Sequence, residues 1–440
     1  MRLNAFLSLL SLSTQRSQCW SWGISKQPTR QLRHSSSLEM STKKDDSNSF
    51  TFGVIADVQW ANKEDGSNYA KTVRRCYRGA FTTLCNAIQW WKDLPTPPLF
   101  IAQLGDLIDG VNAQSNESDA ALQRALAEFD KIDCDTYHLV GNHELYNFNR
   151  TQLAQAAWLK HGNAEYYSFT PHDNWRIIVL DPYQLSLMGL DANDPRRIQS
   201  VELLAKENPN VDPSGAGGDW FVGMENAGYK RRFVPYNGGF GSTQLSWLTE
   251  ELADAGQCKQ RVIVLSHVIV HPKACGGGTM AWDYEEALQI LYDHNSQRED
   301  DEDGGGVVAV MCGHDHSGNY HCDEYNIHHI TYCSPLNKGE DGNAYGLVHV
   351  SDTQLEIRGV VMDDLIPDVE DRPDVVKRDG DDVSNGVCEG IVLPFGKEGK
   401  RLEVVMKKMG IQDGEEEDVK EEEKKESEVL IGEQEVLVEE

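Results

Sequence analysis

Short apolar segments that end in polar residues constrain the fold of this 440-residue chain more than any other feature. Between residues 49 and 362 they alternate with segments whose apolar residues repeat at helical spacing. The strand-like segments are FTFGVIAD, PLFIAQLGD, TYHLVGN, WRIIVLD, RVIVLSHVIV and GVVAVMCGH. Most are β-branched and nearly all apolar, which is typical of strands buried on both faces. Alternation of strands and helices predicts a layered α/β fold.

Helices are predicted between these strands from the spacing of their apolar residues. One helix spans Val73 to Trp91, a second spans Ala121 to Ile132, and STQLSWLTEEL starts a third at Ser242 or Thr243. The segments IHHITYCSP and YGLVHVSDTQLEIRGVVM are strand-like, with short turns and no helix between them. This change of pattern predicts a mixed sheet or a second sheet.

Two insertions interrupt the alternation. Residues 183–241 are rich in Gly, Pro, Asn and Asp, and they predict a long irregular insertion. A loop of this length inside a compact domain is usually functional or disordered. Residues 294–306 are acidic and predict a solvated loop.

Both ends of the chain differ in composition from the middle. Residues 1–38 lack Asp and Glu and carry several arginines and many serines, so residues 1–48 predict a disordered or transit-peptide-like N-terminus. Met40 would serve as a cytosolic start, which leaves the cytosol and an organelle (mitochondrion or chloroplast) as open locations. Residues 363–440 are acid-rich and poor in aromatics, which predicts a mostly disordered tail, with an amphipathic helical pattern at 400–411.

The charge and cysteine content exclude several classes of function. A formal net charge of −30 argues against nucleic-acid or anionic-lipid binding by the whole protein. No window is long and apolar enough to cross a bilayer. The ten cysteines are scattered without a CxxC pair, which indicates reduced thiols, although the sequence is also compatible with one disulfide. We expect a monomer that acts on a small molecule.

Polar residues follow the strand-like segments and form the candidate site. They are Asp57, Gln59, Asp106, Asn142, His143, His267, His314 and His316. Loops at the carboxyl ends of strands converge on one crevice in open α/β sheets, so we expect these side chains to lie together. Carboxylate, amide oxygen and imidazole are suitable ligands for divalent metals, and the absence of a thiolate run argues against a structural zinc. The donors suffice for two metals that share one carboxylate, a pair that can clamp both oxygens of a phosphoryl displacement and activate water.

The motifs GDLID, GNHE, SH after an apolar strand, and GHDH resemble those of the metallophosphoesterase (calcineurin-like) superfamily, over residues 49 to about 362. The resemblance implies an α/β fold with a four-layer αββα sandwich of two mixed β-sheets flanked by helices. It implies one metal at Asp57, Gln59, Asp106 and His316, and a second at Asp106, Asn142, His267 and His314, with Asp106 bridging. It also implies that His143 contacts the phosphate and stabilises charge or protonates the leaving oxygen.

Gln59 separates branches of this superfamily, because it stands where histidine is usual. Asp109 occupies the place of a tyrosine in purple acid phosphatases, which disfavours that branch. The motifs DVQ, QLGDLIDG, GNHELYNF, VPYNGGFGSTQLSWL and GHDHSGNY are similar to those of the manganese-dependent ADP-ribose/CDP-alcohol diphosphatases. That resemblance implies hydrolysis of the diphosphate bond of ADP-ribose, CDP-choline or CDP-glycerol to a nucleoside monophosphate plus a phosphorylated alcohol or sugar. Two Mn²⁺ ions per site are implied, with lower activity in Mg²⁺.

Gln59 also affects which metal is preferred, because an amide oxygen is a harder donor than imidazole and favours manganese over zinc or iron. Alternatives are a general metallophosphatase, a cyclic-nucleotide phosphodiesterase and a non-catalytic binding member. The last is disfavoured, because every ligand position keeps an oxygen or nitrogen donor.

Substrate contacts are predicted separately from the metal ligands. Candidates are Arg75 (or Arg74) as a phosphate clamp, Tyr69, Tyr236 and Phe240 as stacking residues, and Cys322 as a residue lining a nucleoside pocket. Each has a structural alternative: a surface arginine, aromatic packing anchors, or a buried structural thiol.

Overall fold

The computed structural model describes residues 49–359, except 69, 157, 160–164, 213–218, 225, 277, 299–304 and 343, together with 375–376 and 390–395. The predicted N-terminal segment 1–48, the helical pattern at 400–411 and most of the acidic tail lie outside the described residues.

The described strands and helices alternate through most of the chain. The strands are β1 Phe50–Ile55, β2 Gly66–Ser67, β3 Arg74–Arg75, β4 Phe100–Gln103, β5 Asp135–His138, β6 Tyr167–His172, β7 Trp175–Val179, β8 Arg261–Leu265, β9 Val307–Cys312, β10 Asn319–Cys322, β11 His328–Thr331, β12 Gly346–Val350, β13 Gln354–Arg358, β14 Val375–Val376 and β15 Gly390–Pro394. The α-helices are α1 Tyr77–Asp93, α2 Val111–Ser115, α3 Ser118–Phe129, α4 Asn142–Asn147, α5 Arg150–Ala154, α6 Pro195–Glu207, α7 Gly241–Gln257, α8 Tyr284–Ser296 and α9 Pro335–Lys338. Short 3₁₀ helices span Gly228–Arg232, Pro272–Ala274 and Gly339–Asp341.

The strands form two large mixed sheets and one small hairpin. The first sheet has the order β14-β15-β13-β12-β1-β4-β5, in which β1, β4 and β5 are parallel. The second sheet has the order β10-β11-β9-β8-β7-β6, in which β7, β8, β9 and β11 are parallel. Among the described strands, β2 and β3 pair only with each other. The prediction of two mixed sheets is therefore confirmed.

The core consists of two main apolar clusters, one between the two sheets and one beneath the helices, and side chains of β1 alternate between them. Phe52 and Val54 of β1 share a buried cluster with Ile177 of β7 and Ile263 of β8, so the two sheets pack face to face. Ile55 belongs instead to the cluster that contains the buried faces of α1, α3, α7 and α8. Successive side chains of a strand point to opposite faces, so one strand serves both clusters. The layers follow the predicted four-layer sandwich.

Helix α1 can lie close to β1 because β1 contains a glycine. The helix buries Ala80, Leu84, Ile88 and Trp91, a stripe at helical spacing. A Cβ atom on Gly53 would lie 2.8 Å from the Trp91 ring. Any larger residue at this position would push the helix away from the sheet that carries the first predicted ligands.

Several predicted boundaries differ from the structure, including those of α3, which spans Ser118–Phe129 rather than Ala121–Ile132. Helix α1 begins at Tyr77 rather than at Val73, since Arg74 and Arg75 pair with β2 and Val73 is exposed. Strand β8 ends at Leu265, and the apolar residues after it enter the loop at the carboxyl edge of the sheet. Apolar character alone does not distinguish a strand from a buried loop.

The insertion at 183–241 is more regular than its composition predicts. Helix α6 begins at Pro195, where the side chain of Asp194 caps it by accepting a hydrogen bond from Arg196 N. The insertion has its own apolar cluster, which includes Leu185, Leu204 and Phe233. The prediction of an irregular segment was wrong for Pro195–Glu207, because a short amphipathic helix is hard to see among flanking turn residues.

The first sheet continues past the domain boundary predicted at residue 362. Strand β15 pairs antiparallel with β13, and Leu393 and Phe395 are buried. The Phe395 ring meets the Trp175 ring edge-on at 5.7 Å. Five largely apolar residues are too few to alter the average composition of an acidic tail, so the sequence pattern did not reveal them. Among the described residues, no helix has the length and apolarity needed to span a membrane.

Candidate metal centre

The seven predicted ligands lie at the carboxyl ends of parallel strands in both sheets. Asp57 follows β1 and Asp106 follows β4, whereas His267 follows β8 and His314 follows β9. Asn142 begins α4 after β5. We call Asp57, Gln59, Asp106, Asn142, His267, His314 and His316 the metal centre. The structure brings these side chains together, although they are far apart in sequence.

Four residues of the metal centre have left-handed backbone conformations. The φ angles are 52° at Asp57, 46° at Gln59, 57° at Asp106 and 70° at His314. Such conformations cost about 1–3 kcal/mol each in non-glycine residues and concentrate at functional sites. Backbone hydrogen bonds hold two of these loops together, including Gln59 N to Asp106 O at 2.8 Å.

Glycines in the motifs give the carboxylates room. A Cβ atom on Gly141 would overlap the Asp106 carboxylate, and one on Gly313 would lie 2.5 Å from Asp57 Oδ2. The glycines of GNHE and GHDH are therefore required by close approach of the two acidic side chains.

Asp106 occupies the middle of the metal centre. Its Oδ2 atom lies 3.0 Å from Gln59 Nε2, 3.4 Å from His267 Nε2 and 3.9 Å from His143 Nε2. The fully buried Glu144 accepts hydrogen bonds from the backbone amides of Asp106, Leu107 and Gly141, at 2.8 Å each. Glu144 therefore holds two motif loops in register. Glu144 is the last residue of the GNHE motif, and the motif alone does not indicate this role.

One half of the centre contains a compact group of donors. Ligand atoms of Asp106, His267 and His314 all lie within 4.8 Å of one another. His267 Nε2 lies 3.3 Å from Asn142 Oδ1 and 3.2 Å from His314 Nδ1. These four residues match the predicted set for the second metal.

The other half contains Asp57, Gln59 and His316. Gln59 Nε2 lies 3.0 Å from His316 Nε2, and His316 Nε2 lies 3.7 Å from Asp57 Oδ1. Asp57 Oδ1 and Gln59 Oε1 are buried and have no hydrogen-bond partner among the described residues. Buried oxygens are normally satisfied, so two orphaned oxygens beside an imidazole fit a cation. Rotation of the Gln59 amide would direct Oε1 toward Asp106 and His316.

Each of the three histidines donates from one ring nitrogen and leaves the other facing the centre. The donor–acceptor pairs are His267 Nδ1 to Leu104 O at 2.8 Å, His314 Nε2 to Asn237 Oδ1 at 2.7 Å, and His316 Nδ1 to Asn337 Oδ1 at 3.2 Å. Oxygen acceptors of this kind fix the tautomer and the ring orientation of metal-binding histidines. The donor set thus fits divalent metal ions.

The insertion supplies two supporting residues that were not predicted from the sequence. Asn237 Nδ2 donates to Arg232 O and to Gly278 O, so its Oδ1 atom is directed at His314. The Tyr183 hydroxyl donates to Asn142 Oδ1 at 3.2 Å. The only signal for them was their place in a long, Gly-rich loop, which does not identify individual residues.

Burial and neighbouring charge shift the pKa values of the centre. Burial raises the pKa of Asp57 to about 7. Burial opposes protonation of His267, but Asp106 overcomes it and raises the pKa of that histidine to about 9. Burial, followed by the charge of Arg75, lowers the pKa of His316 to about 4. Paired buried carboxylates require positive charge nearby, which divalent cations would provide.

His143 lies beside the centre with a defined tautomer. Its Nδ1 atom accepts a hydrogen bond from Gly110 N at 2.8 Å, so the neutral ring carries its hydrogen on Nε2. Nε2 lies 3.9 Å from Asp106 Oδ2. Burial lowers the pKa of His143, but Asp106 and Asp109 outweigh burial and raise it. His143 can therefore present a proton at the edge of the centre.

Arg75, rather than Arg74, is directed toward the centre. Arg75 NH1 lies 4.0 Å from Asp109 Oδ2, and its buried Nε atom has no hydrogen-bond partner within the described ranges. The side chain of Arg74 is 73% exposed and pairs with Asp65. Neighbouring strand residues point to opposite faces, which separates the two arginines.

The other predicted substrate contacts fall in different places. Phe240 is 1% exposed within the main apolar cluster, so it is a packing residue rather than a stacking surface. The Tyr236 ring is 5.8 Å from the His314 ring, with Trp220 5.9 Å beyond it. Cys322 is exposed in β10, which contradicts the alternative of a buried structural thiol. Tyr69 lies outside the described residues.

The donor set lies at the carboxyl ends of strands in two mixed sheets. This combination of fold and site defines a metal-dependent hydrolase. The chain belongs to the calcineurin-like phosphoesterase family, whose sequence model matches residues 50–318. The resemblance in the motifs is thereby confirmed.

Similar proteins share most of their length with this chain. A mouse protein named manganese-dependent ADP-ribose/CDP-alcohol diphosphatase is 34% identical over 328 residues, which cover 70% of this chain and 90% of the relative. An Arabidopsis thaliana protein of the same name is 34% identical over 312 residues, covering 70% and 94%. A solved dimetal phosphatase from Danio rerio has a TM-score of 0.64 and 30% identity, covering 79% of this chain and 99% of its own.

Proposed function

We propose that this enzyme hydrolyses the diphosphate bond of ADP-ribose and of CDP-alcohols such as CDP-choline and CDP-glycerol. The products would be AMP or CMP plus a phosphorylated sugar or alcohol. The observation that carries the proposal is the complete donor set with an amide, Gln59, at the histidine position. The names of the mouse and Arabidopsis relatives support it.

Two Mn²⁺ ions are the proposed cofactors, with Mg²⁺ supporting lower activity. One would be held by Asp57, Gln59, Asp106 and His316, and the other by Asp106, Asn142, His267 and His314. When bound, such a pair neutralises phosphate charge and activates water for attack. The hard oxygen donor of Gln59 favours manganese over zinc at the first position.

Protein side chains next to the centre would position the phosphates. Arg75 can bind a non-bridging oxygen, since its guanidinium is half-buried and faces the same carboxylate as His143. His143 Nε2–H can stabilise developing charge or protonate the leaving oxygen. Tyr236, beside His314, offers a ring for the nucleoside.

A substrate panel tests this proposal. ADP-ribose, CDP-choline, 2′,3′-cAMP and p-nitrophenyl phosphate would be incubated with the full-length enzyme in Mn²⁺ and in Mg²⁺, and products separated chromatographically. We expect AMP from ADP-ribose and CMP from CDP-choline, faster in Mn²⁺. Preference for 2′,3′-cAMP or p-nitrophenyl phosphate would instead identify a cyclic phosphodiesterase or a general phosphatase. No turnover with any compound would favour a non-catalytic member.

Replacement of Arg75 by alanine should lower kcat/KM for ADP-ribose by about 10- to 100-fold, the range expected when a charged hydrogen bond is lost. Arg74→Ala is a matched control, because Arg74 is the neighbouring arginine but points away from the centre. Steady-state kinetics in saturating Mn²⁺ measures both. Equal effects of the two substitutions would contradict the role of Arg75.

A further inference from the structure

A second group of histidines lies outside the metal centre. Ligand atoms of His271, Asp323 and His329 are within 4.8 Å of one another, and all three residues are buried. His321 adjoins them, because it pairs with His329 across β10 and β11. We call these four residues the histidine cluster. None of them belongs to the metal centre or to its predicted substrate contacts.

His329 has the same arrangement as the histidines of the metal centre. Its Nε2 atom donates to Asp323 Oδ2 at 2.8 Å, which leaves Nδ1 with a bare lone pair. This residue is 2% exposed, and its Nδ1 atom has no hydrogen-bond partner in the part of the chain that the structure describes. Asp323 is itself fixed, because Oδ1 accepts from the amides of Tyr325 and Ile327. A carboxylate that orients one ring nitrogen and leaves the other free is common around metal ions.

His271 brings the cluster together from another part of the chain. Its ring centroid lies 4.4 Å from that of His329 and 4.6 Å from that of His321. Its Nδ1 atom accepts a hydrogen bond from Lys273 N at 3.1 Å. Binding of an ion by Nδ1 would exchange one amide hydrogen bond for a metal–imidazole bond. Burial, followed by the neighbouring histidines, lowers the pKa of His271 to about 3, so this ring is neutral.

The cluster is connected to the metal centre through one short loop. His271 precedes the 3₁₀ helix Pro272–Ala274, and Ala274 O accepts a hydrogen bond from Thr331 Oγ1 at 2.7 Å. Further along the same loop, Gly276 N donates to Asp315 Oδ2 at 2.8 Å. Asp315 lies between His314 and His316. An ion bound by the cluster would therefore fix the loop that holds the GHDH segment.

We propose that the histidine cluster is a separate binding site for one divalent transition-metal ion of the zinc type. Three imidazoles, one of them oriented by Asp323, form a nitrogen donor set that suits zinc better than manganese. The metal centre differs, because it is rich in oxygen donors. The ion would hold β10, β11 and the loop after β8 in fixed relative positions, and it would do so through imidazoles, without the thiolates of common structural zinc sites.

Zinc stoichiometry in an Asp106→Ala background tests this site with the metal centre impaired. The full-length protein would be stripped with chelator, exposed to Zn²⁺ alone, desalted and measured by plasma mass spectrometry. Adding His329→Gln or His271→Gln should remove about one zinc per chain. Adding His294→Gln should not, although His294 is also buried and its Nε2 atom also lacks a hydrogen-bond partner among the residues described. Equal zinc content in all four proteins would overturn the proposal.

A spectroscopic measurement keeps the proposal testable if a buried variant misfolds. Co²⁺ bound at the cluster should give visible ligand-field absorption that His321→Gln weakens, and His321 is only partly buried. Far-UV circular dichroism would confirm the fold of each variant. An unchanged Co²⁺ spectrum in folded His321→Gln and His271→Gln proteins would also overturn the site.

Discussion

Replacement of Asp106 by alanine should lower kcat/KM for ADP-ribose in Mn²⁺ at least about a thousandfold. The magnitude follows because metal ions supply several kcal/mol of charge stabilisation, and about 4 kcal/mol corresponds to a thousandfold. Asp106 Oδ2 faces Gln59, His267 and His143, so its loss affects both halves of the centre. AMP release and manganese content per chain would be measured together.

Asp135→Ala is the matched control for this experiment. Asp135 begins β5 in the same sheet, but its side chain is exposed. We expect this variant to keep its manganese and its activity. Normal manganese content and turnover in folded Asp106→Ala protein would contradict the shared-ligand assignment and with it the proposed centre.

His143→Ala should lower kcat by about a hundredfold while manganese content stays unchanged. General acid–base groups contribute about 10²–10⁴-fold, and the lower end applies because a nucleoside monophosphate is a good leaving group. His143 is not one of the predicted ligands, and Gly110 N already occupies its Nδ1 lone pair. Single-turnover kinetics together with metal analysis would separate loss of chemistry from loss of metal.

His349→Ala provides the comparison, because His349 lies in β12, in the middle of the first sheet. Its removal should leave kcat unchanged. A loss of manganese in the His143 variant would show that His143 supports the metals rather than the phosphate. An unchanged kcat would remove His143 from the reaction altogether.

Much of the fold was predictable because buried strands carry a strong local pattern. Strands β1, β4, β7 and β9 coincide with apolar segments, and parallel order places their following residues at one edge. Strand β6 and the strand at 390–394 were missed. The first is only half-buried and the second lies in acidic surroundings, so neither has the pattern of a fully buried strand.

The candidate ligands were predictable because they occur in motifs, whereas the residues that orient them were not. Asn237 and Tyr183 act through tertiary contacts within a long insertion, and no local pattern distinguishes them from the many turn residues around them. The choice between Arg74 and Arg75 as the residue that faces the centre depended on the β2–β3 hairpin. Strands of two residues have no recognisable sequence pattern, so this hairpin was not predicted. Phe240 shows the converse error, since an aromatic residue beside glycines proved to be part of the core.

The left-handed backbone at Asp57, Gln59, Asp106 and His314 has a consequence for the evolution of this protein. Glycine would relieve the conformational cost at each position, yet it would remove a donor atom. Variation that favours thermal robustness alone would therefore tend to erode these four positions first. Their retention in a stable fold depends on continued selection for the reaction, because folding by itself gives no reason to keep them.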